Sequence, residues 1–348
     1  MLHTFTLGKS PLKKKKYKRI VRQLYELADE GYIPLFGKKL PPQIHIQGWP
    51  GITLVLRDKV VPRLELKINP SIMFGGDYTD LAELSEFEVR QIESSVSELL
   101  DTLEADFTFD DMCLSRIDCT QDITIPDTIL TTEIIGAIQR TKLKRDYERT
   151  EFGRSYHNYV EKNRHSFRAR CNDISLTVYD KGFQLAEEGM MFPEDVPINR
   201  LRFEVAFDRS SFRRVLNEHQ CGTYVDLSTG ETILEFSRLS VKLLREYFHD
   251  GIAPGRILRL DAALKEIEKS HYTCAIKERM KDFMVDVSGH YRYGVEGALA
   301  DSGLNSDQKR DLLARFRELD LNPVGLPMRC KCVRCPSIDG LLVGEMPT

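Results

Sequence analysis

Charged and phenolic side chains lie on one face of segments that alternate polar and apolar residues like β-strands. Residues 112–124, 173–180 and 199–208 alternate in this way. The polar sets that share a face are Arg116 with Asp118, Tyr179 with Lys181, and Arg200 and Arg202 with Glu204. Successive side chains of a strand point to opposite faces, so these segments predict a sheet with one apolar and one polar face. This pattern constrains the fold more than any other part of the chain.

Further elements complete the predicted topology. Alternation at 44–47 and 52–69 predicts strands, and apolar spacing predicts a helix over 80–104, capped by Thr79 or Asp80, and another over 128–144. The order β, β, α, β, α, β, β predicts an α+β sheet domain over residues 30–210. The helical candidates that follow are 210–218, 236–249, 259–269, 273–284, 291–302 and 306–319. We therefore predict a basic N-terminal segment (1–29), the sheet domain (30–210), a mostly helical domain (211–325) and a Cys-containing tail (326–348).

Composition excludes several classes of protein. The 348 residues are 41% hydrophobic, which is enough for real cores and argues against intrinsic disorder. The sequence has no window of about 20 apolar residues and no secretory signal, so we expect no membrane association. Eight scattered Cys indicate no dense disulfide framework and favour a reducing, cytoplasmic setting.

The net charge of −3 conceals strong segregation. Residues 77–111 contain twelve acids and one base, which suits an exposed acidic helix face. Residues 140–170 contain ten bases and four acids, and Lys13–Lys16 with Lys18 and Arg19 form a second basic run. Aromatic residues interleave the 140–170 segment, a pattern that suits single-stranded nucleic acid because cations contact phosphates and rings stack on bases. A solvated loop and helix face is the competing interpretation of that segment.

The polar strand faces supply the candidate active site. Asp118 and Glu204 could hold Mg²⁺ or Mn²⁺ through carboxylate oxygens, and Tyr179 could attack a phosphodiester. The cations that could offset phosphate charge in the transition state are Arg116, Lys181 and Arg202. Taken alone, the pair Arg116 and Asp118 favours a salt-bridged sheet surface, and the pair Tyr179 and Lys181 also fits a tyrosine half-packed on the sheet beside an exposed lysine.

Three motifs carry a resemblance to a known family. Leu-Ser-Arg-Ile-Asp-Cys-Thr at 114–120, Leu-Thr-Val-Tyr-Asp-Lys at 176–181 and Arg-Leu-Arg-Phe-Glu-Val at 200–205 resemble the replication initiation proteins of filamentous phages, the gene II/gene X family. Related rolling-circle plasmid initiators show similar motifs. The resemblance extends over roughly residues 50–320 and includes the run Leu-Glu-Leu-Lys-Ile-Asn-Pro at 64–70.

The resemblance implies an antiparallel-sheet nickase that cuts one strand of supercoiled double-stranded DNA at a replication origin. A tyrosine becomes joined to the 5′ phosphate, the free 3′ hydroxyl primes rolling-circle synthesis, and the displaced single strand is religated. The family's tyrosine motif matches Tyr179 and Lys181, and its acidic motif residues match Asp118 and Glu204. The implied setting is the cytoplasm of a bacterial host cell, with the host helicase and polymerase as partners.

Some features depart from the family pattern. Tyr156 and Tyr159, in the basic segment, could compete with Tyr179 as the nucleophile. The paired-His metal motif of related nickases is absent, and His45 alone could be a ligand. The thiols at 330–335 could bind zinc with a fourth ligand, although a free, flexible, basic tail is the preferred interpretation. Residues 291–319 could form a helix-turn-helix or a plain helical bundle.

Two alternatives stay open from the sequence. The chain could be a non-catalytic protein that recognises an origin or operator, which would need the basic segments but no metal. It could also be a plasmid-mobilisation relaxase with similar chemistry, although the missing His pair counts against this. The carboxylates aligned on two strands favour the nickase, because a purely DNA-binding surface would avoid them.

Overall fold

The computed structural model describes residues 1–58, 60–77, 80–144, 146–150, 163–187, 189, 199–219, 227–252, 254–290 and 293–348. The chain packs into two compact units, each discontinuous in sequence. The first consists of Met1–Thr120 and Ala206–Leu243, and the second of Gln121–Val205 and Leu244–Thr348. The described elements form an α+β protein with a large antiparallel sheet, which confirms the predicted α+β class, while the nickase-like architecture stays a prediction.

In the first unit the strands lie in the order Ile44–His45 (β2), Ile52–Arg57 (β3), Arg63–Ile68 (β4), Leu2–Lys9 (β1) and Cys113–Thr124 (β5). Its elements are β1 (Leu2–Lys9), α1 (Lys14–Asp29), β2 (Ile44–His45), β3 (Ile52–Arg57), β4 (Arg63–Ile68), α2 (Pro70–Met73), α3 (Glu86–Thr102), a 3₁₀ turn (Phe109–Asp111), the first part of β5 (Cys113–Thr124), the end of β9 (Arg200–Asp208), α6 (Arg209–Glu218) and the first part of α7 (Thr229–Gly251). Strand β1 pairs antiparallel with both β4 and β5, so the N-terminus of the chain is central to this part of the sheet.

In the second unit the strands that follow β5 lie in the order Arg200–Asp208 (β9), Ile174–Asp180 (β8), Ser166–Cys171 (β7) and Glu148–Arg149 (β6). Besides the end of β5 and the start of β9, its elements are α4 (Thr131–Arg140), β6 (Glu148–Arg149), β7 (Ser166–Cys171), β8 (Ile174–Asp180), α5 (Lys181–Glu187), the end of α7, β10 (Ile257–Leu258), α8 (Leu260–Lys269), α9 (Cys274–Gly289), α10 (Gly294–Asp301), α11 (Ser306–Glu318), β11 (Arg334–Cys335) and α12 (Ile338–Leu342). Strands β7 and β8 form an antiparallel pair in which Ser166 is opposite Tyr179.

Each unit has its own apolar core on one face of its strands. In the first unit, Phe236 of α7 packs against Phe207 and Phe212, with ring centroids 5.4 and 5.0 Å away. In the second, Phe203 of β9 meets Phe248 of α7 edge to face at 5.3 Å. These contacts bury the apolar side of the alternating strands, as the sequence pattern predicts.

The boundaries of the two compact units differ from those of the predicted domains, each of which was continuous in sequence. Residues 1–29 contain strand β1 and helix α1, which belong to the first unit and are not a separate basic segment. The region after residue 210 is mostly helical, as predicted, but its helices are shared between the two units. Sequence periodicity gives local structure but not which distant segments pair, so a discontinuous unit leaves no linear signal.

The predicted start of helix α3 is wrong by one turn or more. The helix begins after Ser85, whose hydroxyl accepts from the Glu88 amide while the Glu88 carboxylate accepts from the Ser85 amide. This reciprocal capping box satisfies two amides at the helix start. Asp80 accepts from the Asp77 amide and so closes a turn before the helix. Thr79 lies outside the described residues.

The C-terminal tail is packed, so the prediction of a free, flexible segment is wrong. Cys330, Cys332 and Cys335 are buried, and strand β11 pairs with β10. The amides of Val333 and Arg334 both donate to the carbonyl of Thr348. Since three thiols and the last residue are held by contacts within the second unit, this segment is part of that unit's core.

Helices α10 and α11 match the predicted pair within 291–319, although residues 291 and 292 are outside the described part of the chain. Gly303 lies between them with φ of +65°, a conformation that suits glycine at the end of a helix. A role in groove binding stays a prediction. In the described ranges, no helix has the length and apolar content to cross a bilayer.

Candidate active site

Tyr179 and Glu204 form a direct hydrogen bond in the second unit. Strand β8 carries Tyr179 near its end and β9 carries Glu204, and the Tyr179 hydroxyl donates to Glu204 Oε1 at 2.8 Å. The two strands are neighbours in the sheet, which explains why motifs 25 residues apart meet. The structure therefore brings together two of the residues that the sequence singled out.

The phenol is held in its protonated form. Burial raises the pKa of Tyr179 well above its ordinary value, and the negative charge of Glu204 raises it further, while the nearby Arg202 guanidinium acts in the opposite direction. A protonated phenol beside a carboxylate is a donor whose proton has an acceptor already in place. Glu204 is thus positioned as the base for this hydroxyl.

The raised pKa of Tyr179 predicts how the free energy of unfolding depends on pH in the alkaline range. In the unfolded chain the Tyr179 phenol ionises near pH 10, whereas in the folded protein it ionises at higher pH. The contribution of Tyr179 to the free energy of unfolding is therefore complete below about pH 10 and is lost as the pH rises further. We expect the free energy of unfolding to fall more steeply between about pH 9 and 11 in the wild type than in Tyr179→Phe. Urea titrations across that range measure this, and parallel curves for the two proteins would contradict it.

Arg202 is fully buried, which the sequence did not indicate. It was predicted on a wet sheet face with Arg200 and Glu204, and it does share their strand, but its exposed fraction is 0%. Its Nε and Nη2 donate to the two carboxylate oxygens of Asp122 at 2.6 and 2.7 Å. Burial opposes the charge, but the Asp122 hydrogen bonds leave the pKa of Arg202 raised, so the guanidinium stays charged. A buried cation therefore lies beside the Tyr179 phenol.

Asp122 is a site residue that the sequence analysis missed. It accepts both bonds from Arg202 and a third, at 3.2 Å, from Arg200 Nη1. The available signal was its position on β5, in step with Arg116 and Asp118 along one face. The pairing partner of β5 was not known from the sequence, so nothing connected this carboxylate with β9.

Lys181 does not continue the strand face of Tyr179. Strand β8 ends at Asp180 and helix α5 begins at Lys181, so the period-two rule that placed them together no longer applies. The Lys181 side chain is 2% exposed, and its Nζ donates to Gln184 Oε1 at 2.9 Å. The prediction of a shared face was wrong, and a phosphate-binding role for Lys181 stays a prediction.

Asp118 and Arg116 form a second cluster, in the first unit. Asp118 is buried, its Oδ2 accepts from the Thr4 hydroxyl at 2.6 Å and its Oδ1 from Arg116 Nε at 2.8 Å. Arg116 Nη1 also lies 3.9 Å from Asp208 Oδ1. The described side-chain contacts of Asp118 are thus with Thr4 and Arg116, and that of Glu204 is with Tyr179.

A further polar group follows Tyr179 directly and was also missed. Asp180 Oδ2 accepts from the Thr131 hydroxyl at 2.6 Å and lies 3.3 Å from His165 Nδ1, while Oδ1 accepts from the Phe183 amide. The His165 ring stacks on Phe183 with centroids 3.8 Å apart. Asp180 and Phe183 line a cleft of about 890 Å³ in the second unit. These bonds fix the end of β8 and so orient the strand that carries Tyr179.

The sequence also offered Tyr156 and Tyr159 as alternative nucleophiles and His45 as a metal ligand. Tyr156 and Tyr159 lie outside the described residues, as do residue 145 and the rest of 151–162 in the basic segment. His45 is exposed on β2, with its Nδ1 3.3 Å from the Thr53 hydroxyl. In the residues that the structure describes, no group of three or more His, Cys, Asp or Glu side chains has an arrangement that could hold a metal ion.

The chain was also compared with protein-family models and with curated protein sequences, and it matches none of them.

Proposed function

We propose that this protein is a tyrosine-type DNA nickase and strand-transfer enzyme that initiates rolling-circle replication. The observation that carries the proposal is the hydrogen bond from the Tyr179 hydroxyl to Glu204 Oε1 at 2.8 Å, beside the buried Arg202. A phenol, an adjacent base and a fixed cation are the groups that phosphoryl transfer to a tyrosine requires. The large antiparallel sheet is compatible with the nickase architecture that the sequence motifs imply.

In the proposed reaction, the Tyr179 hydroxyl oxygen attacks the phosphorus of one backbone phosphodiester. The bond from phosphorus to the 3′ oxygen breaks as the bond to the tyrosine oxygen forms. Glu204 accepts the phenolic proton, and the departing 3′ oxygen takes a proton to become a free hydroxyl. Attack by a 3′ hydroxyl on the phosphotyrosine reverses each of these changes and rejoins the strand.

Arg202 favours this step electrostatically. Its positive charge lowers the pKa of Tyr179 against the effects of burial and Glu204, so it stabilises the negative charge that develops on the attacking oxygen. The two hydrogen bonds to Asp122 fix the guanidinium before the reaction begins, which avoids reorganisation during it. Arg116 and Lys181 remain proposed phosphate contacts on the strength of the motifs alone.

A divalent cation, Mg²⁺ or Mn²⁺, remains part of the proposal because the sequence motifs contain the carboxylates Asp118 and Glu204. Carboxylate oxygens suit these ions, and they would stabilise charge on the phosphate. However, Asp118 bonds to Thr4 and Arg116, and Glu204 to Tyr179, so the described side chains do not show one assembled ligand set. We therefore assign no reaction step to the ion.

The proposed setting follows from the same motifs. The substrates are supercoiled double-stranded origin DNA and the displaced single strand, and the replicon is that of a phage or a plasmid. The 3′ hydroxyl left by the nick suits extension by a host polymerase, with a host helicase separating the strands. The corresponding location is the cytoplasm of a bacterial host cell.

A supercoiled-plasmid assay tests the proposal and its metal requirement together. The substrate carries the replication region of the genetic element that encodes the protein, and it is incubated with Mg²⁺, Mn²⁺ or excess EDTA. We expect open-circular product with either metal, and a loss of at least about tenfold in EDTA if a metal stabilises the transition state. Equal nicking in EDTA would remove the metal from the proposal and leave the tyrosine chemistry intact.

The same assay separates the nickase from the competing interpretation. A gel shift of the plasmid fragment without open-circular product in either metal would favour a non-catalytic origin or operator protein.

A further inference from the structure

Helix α1 carries a run of basic residues, and only some of them are paired with acids within the protein. Lys16 Nζ lies 2.7 Å from Asp106 Oδ1, with Arg19 Nη2 3.5 Å from the same oxygen. Arg22 pairs with Glu104 at 3.2 Å and with Glu26 at 3.4 Å. These pairs place part of the basic run against the end of the acidic segment 77–111.

The remaining lysines of this run form what we call the α1 basic face: Lys13, Lys14, Lys15 and Lys18. All four are exposed, and among the described residues none makes a hydrogen bond or ion pair with their side chains. Lys14 and Lys18 are four residues apart, which places them about 6 Å apart along one side of the helix. The result is a concentrated, uncompensated positive charge on a rigid element.

This arrangement is unfavourable for the helix itself. The first turn of α1 contains no acidic residue, and Lys13 provides no side-chain cap for the helix start. Cations at a helix N-terminus oppose the helix dipole, whereas an anion there is favoured. An external polyanion would relieve both the repulsion between the lysines and their conflict with the dipole.

We infer that the α1 basic face binds the phosphodiester backbone of duplex DNA without reading its sequence. Point charges at helical spacing suit phosphates, which lysines contact without base selectivity. Single-stranded DNA is the less favoured ligand because stacking on exposed rings is its usual mode of binding. Tyr17, the aromatic residue within this run, is not fully exposed, and burial raises its pKa. The inference deepens the proposed function, since it names a DNA-contacting surface in the first unit distinct from the Tyr179 cluster.

A matched pair of double variants tests it. Lys14→Gln/Lys18→Gln removes two charges from the α1 basic face, and Lys265→Gln/Lys269→Gln removes two exposed lysines with the same spacing from helix α8. Full-length proteins are titrated against a labelled duplex of unrelated sequence, by anisotropy, at several salt concentrations. Each lost phosphate contact should reduce the salt slope by about 0.9, so we expect a decrease of about 2 for the α1 variant and none for the α8 control.

The outcomes distinguish this inference from the proposed function. Affinity at about 0.1 M salt should fall roughly tenfold or more in the α1 variant. Unchanged slope and affinity would overturn the inference whether or not the protein nicks DNA, and so would a loss confined to single-stranded DNA of the same sequence. If the α1 variant lost affinity as expected but the wild type did not nick DNA, the inference about the α1 basic face would stand and the proposed nickase function would be rejected. All four lysines are exposed, so we expect both double variants to have the same thermal stability. Equal stability would show that misfolding does not cause the loss of DNA affinity.

Discussion

Replacing Tyr179 by Phe is expected to abolish nicking while leaving DNA binding within about twofold of the wild type. The substitution removes the proposed nucleophile and the proton that Glu204 accepts, but it keeps the aromatic ring in the sheet. Loss of a nucleophile costs at least about a thousandfold in rate, because the remaining groups cannot form the covalent intermediate. Open-circular product from supercoiled plasmid measures the first effect and a gel shift measures the second.

Tyr272 provides a matched control for this experiment. Its hydroxyl donates to Glu318 Oε2, so Tyr272→Phe breaks another phenol–carboxylate bond away from the proposed site. Burial and the Glu318 carboxylate raise the pKa of Tyr272 to about 12, so its phenol, like that of Tyr179, is protonated at neutral pH. We expect the control to nick at the wild-type rate. Normal nicking by Tyr179→Phe would remove this residue from the mechanism.

Replacing Asp122 by Ala is expected to destabilise the protein by about 3–5 kcal/mol, because it removes both carboxylate bonds from the buried guanidinium of Arg202. The cost arises mainly from a buried charge that loses its compensating partner. Chemical denaturation of the two proteins measures the difference. Nicking should fall as well in the molecules that stay folded, since Asp122 fixes the orientation of Arg202.

The exposed pair of Arg310 and Asp307 serves as the comparison. These side chains are 2.9 Å apart but 72% and 79% exposed, so Asp307→Ala should change the free energy of unfolding by less than about 1 kcal/mol. A similar small effect of Asp122→Ala would show that the buried pair contributes little, and the proposed fixation of Arg202 would then lack support.

Local structure was largely predictable from the sequence. The segment 112–124 corresponds to β5, and 173–180 and 199–208 correspond to β8 and β9, each within one residue of the observed bounds. Strict alternation over eight or more residues leaves little choice of period, and one buried face fixes which residues are inside. The meeting of Tyr179 with Glu204 followed from these strands being in one sheet.

Long-range pairing was the part that the sequence could not supply. Strand β1 lies between β4 and β5, and Asp122 of β5 meets Arg202 of β9, although 80 residues separate the two side chains. Periodicity describes a segment's own faces and carries no information about its neighbour. The packed tail was missed for the same reason, because Arg334–Cys335 is ordered by pairing with Ile257–Leu258.

Identification of the covalently modified residue tests the central proposal most directly. Wild-type protein is incubated with supercoiled DNA carrying the replication region and Mg²⁺, and the reaction is stopped with detergent. After nuclease and protease digestion, mass spectrometry locates the nucleotide-modified peptide. The account predicts a 5′-phosphate linked to Tyr179. Modification of Tyr156 or Tyr159 would retain the tyrosine chemistry and contradict the assignment of the nucleophile, and a nicked product with no protein adduct would contradict the covalent mechanism itself.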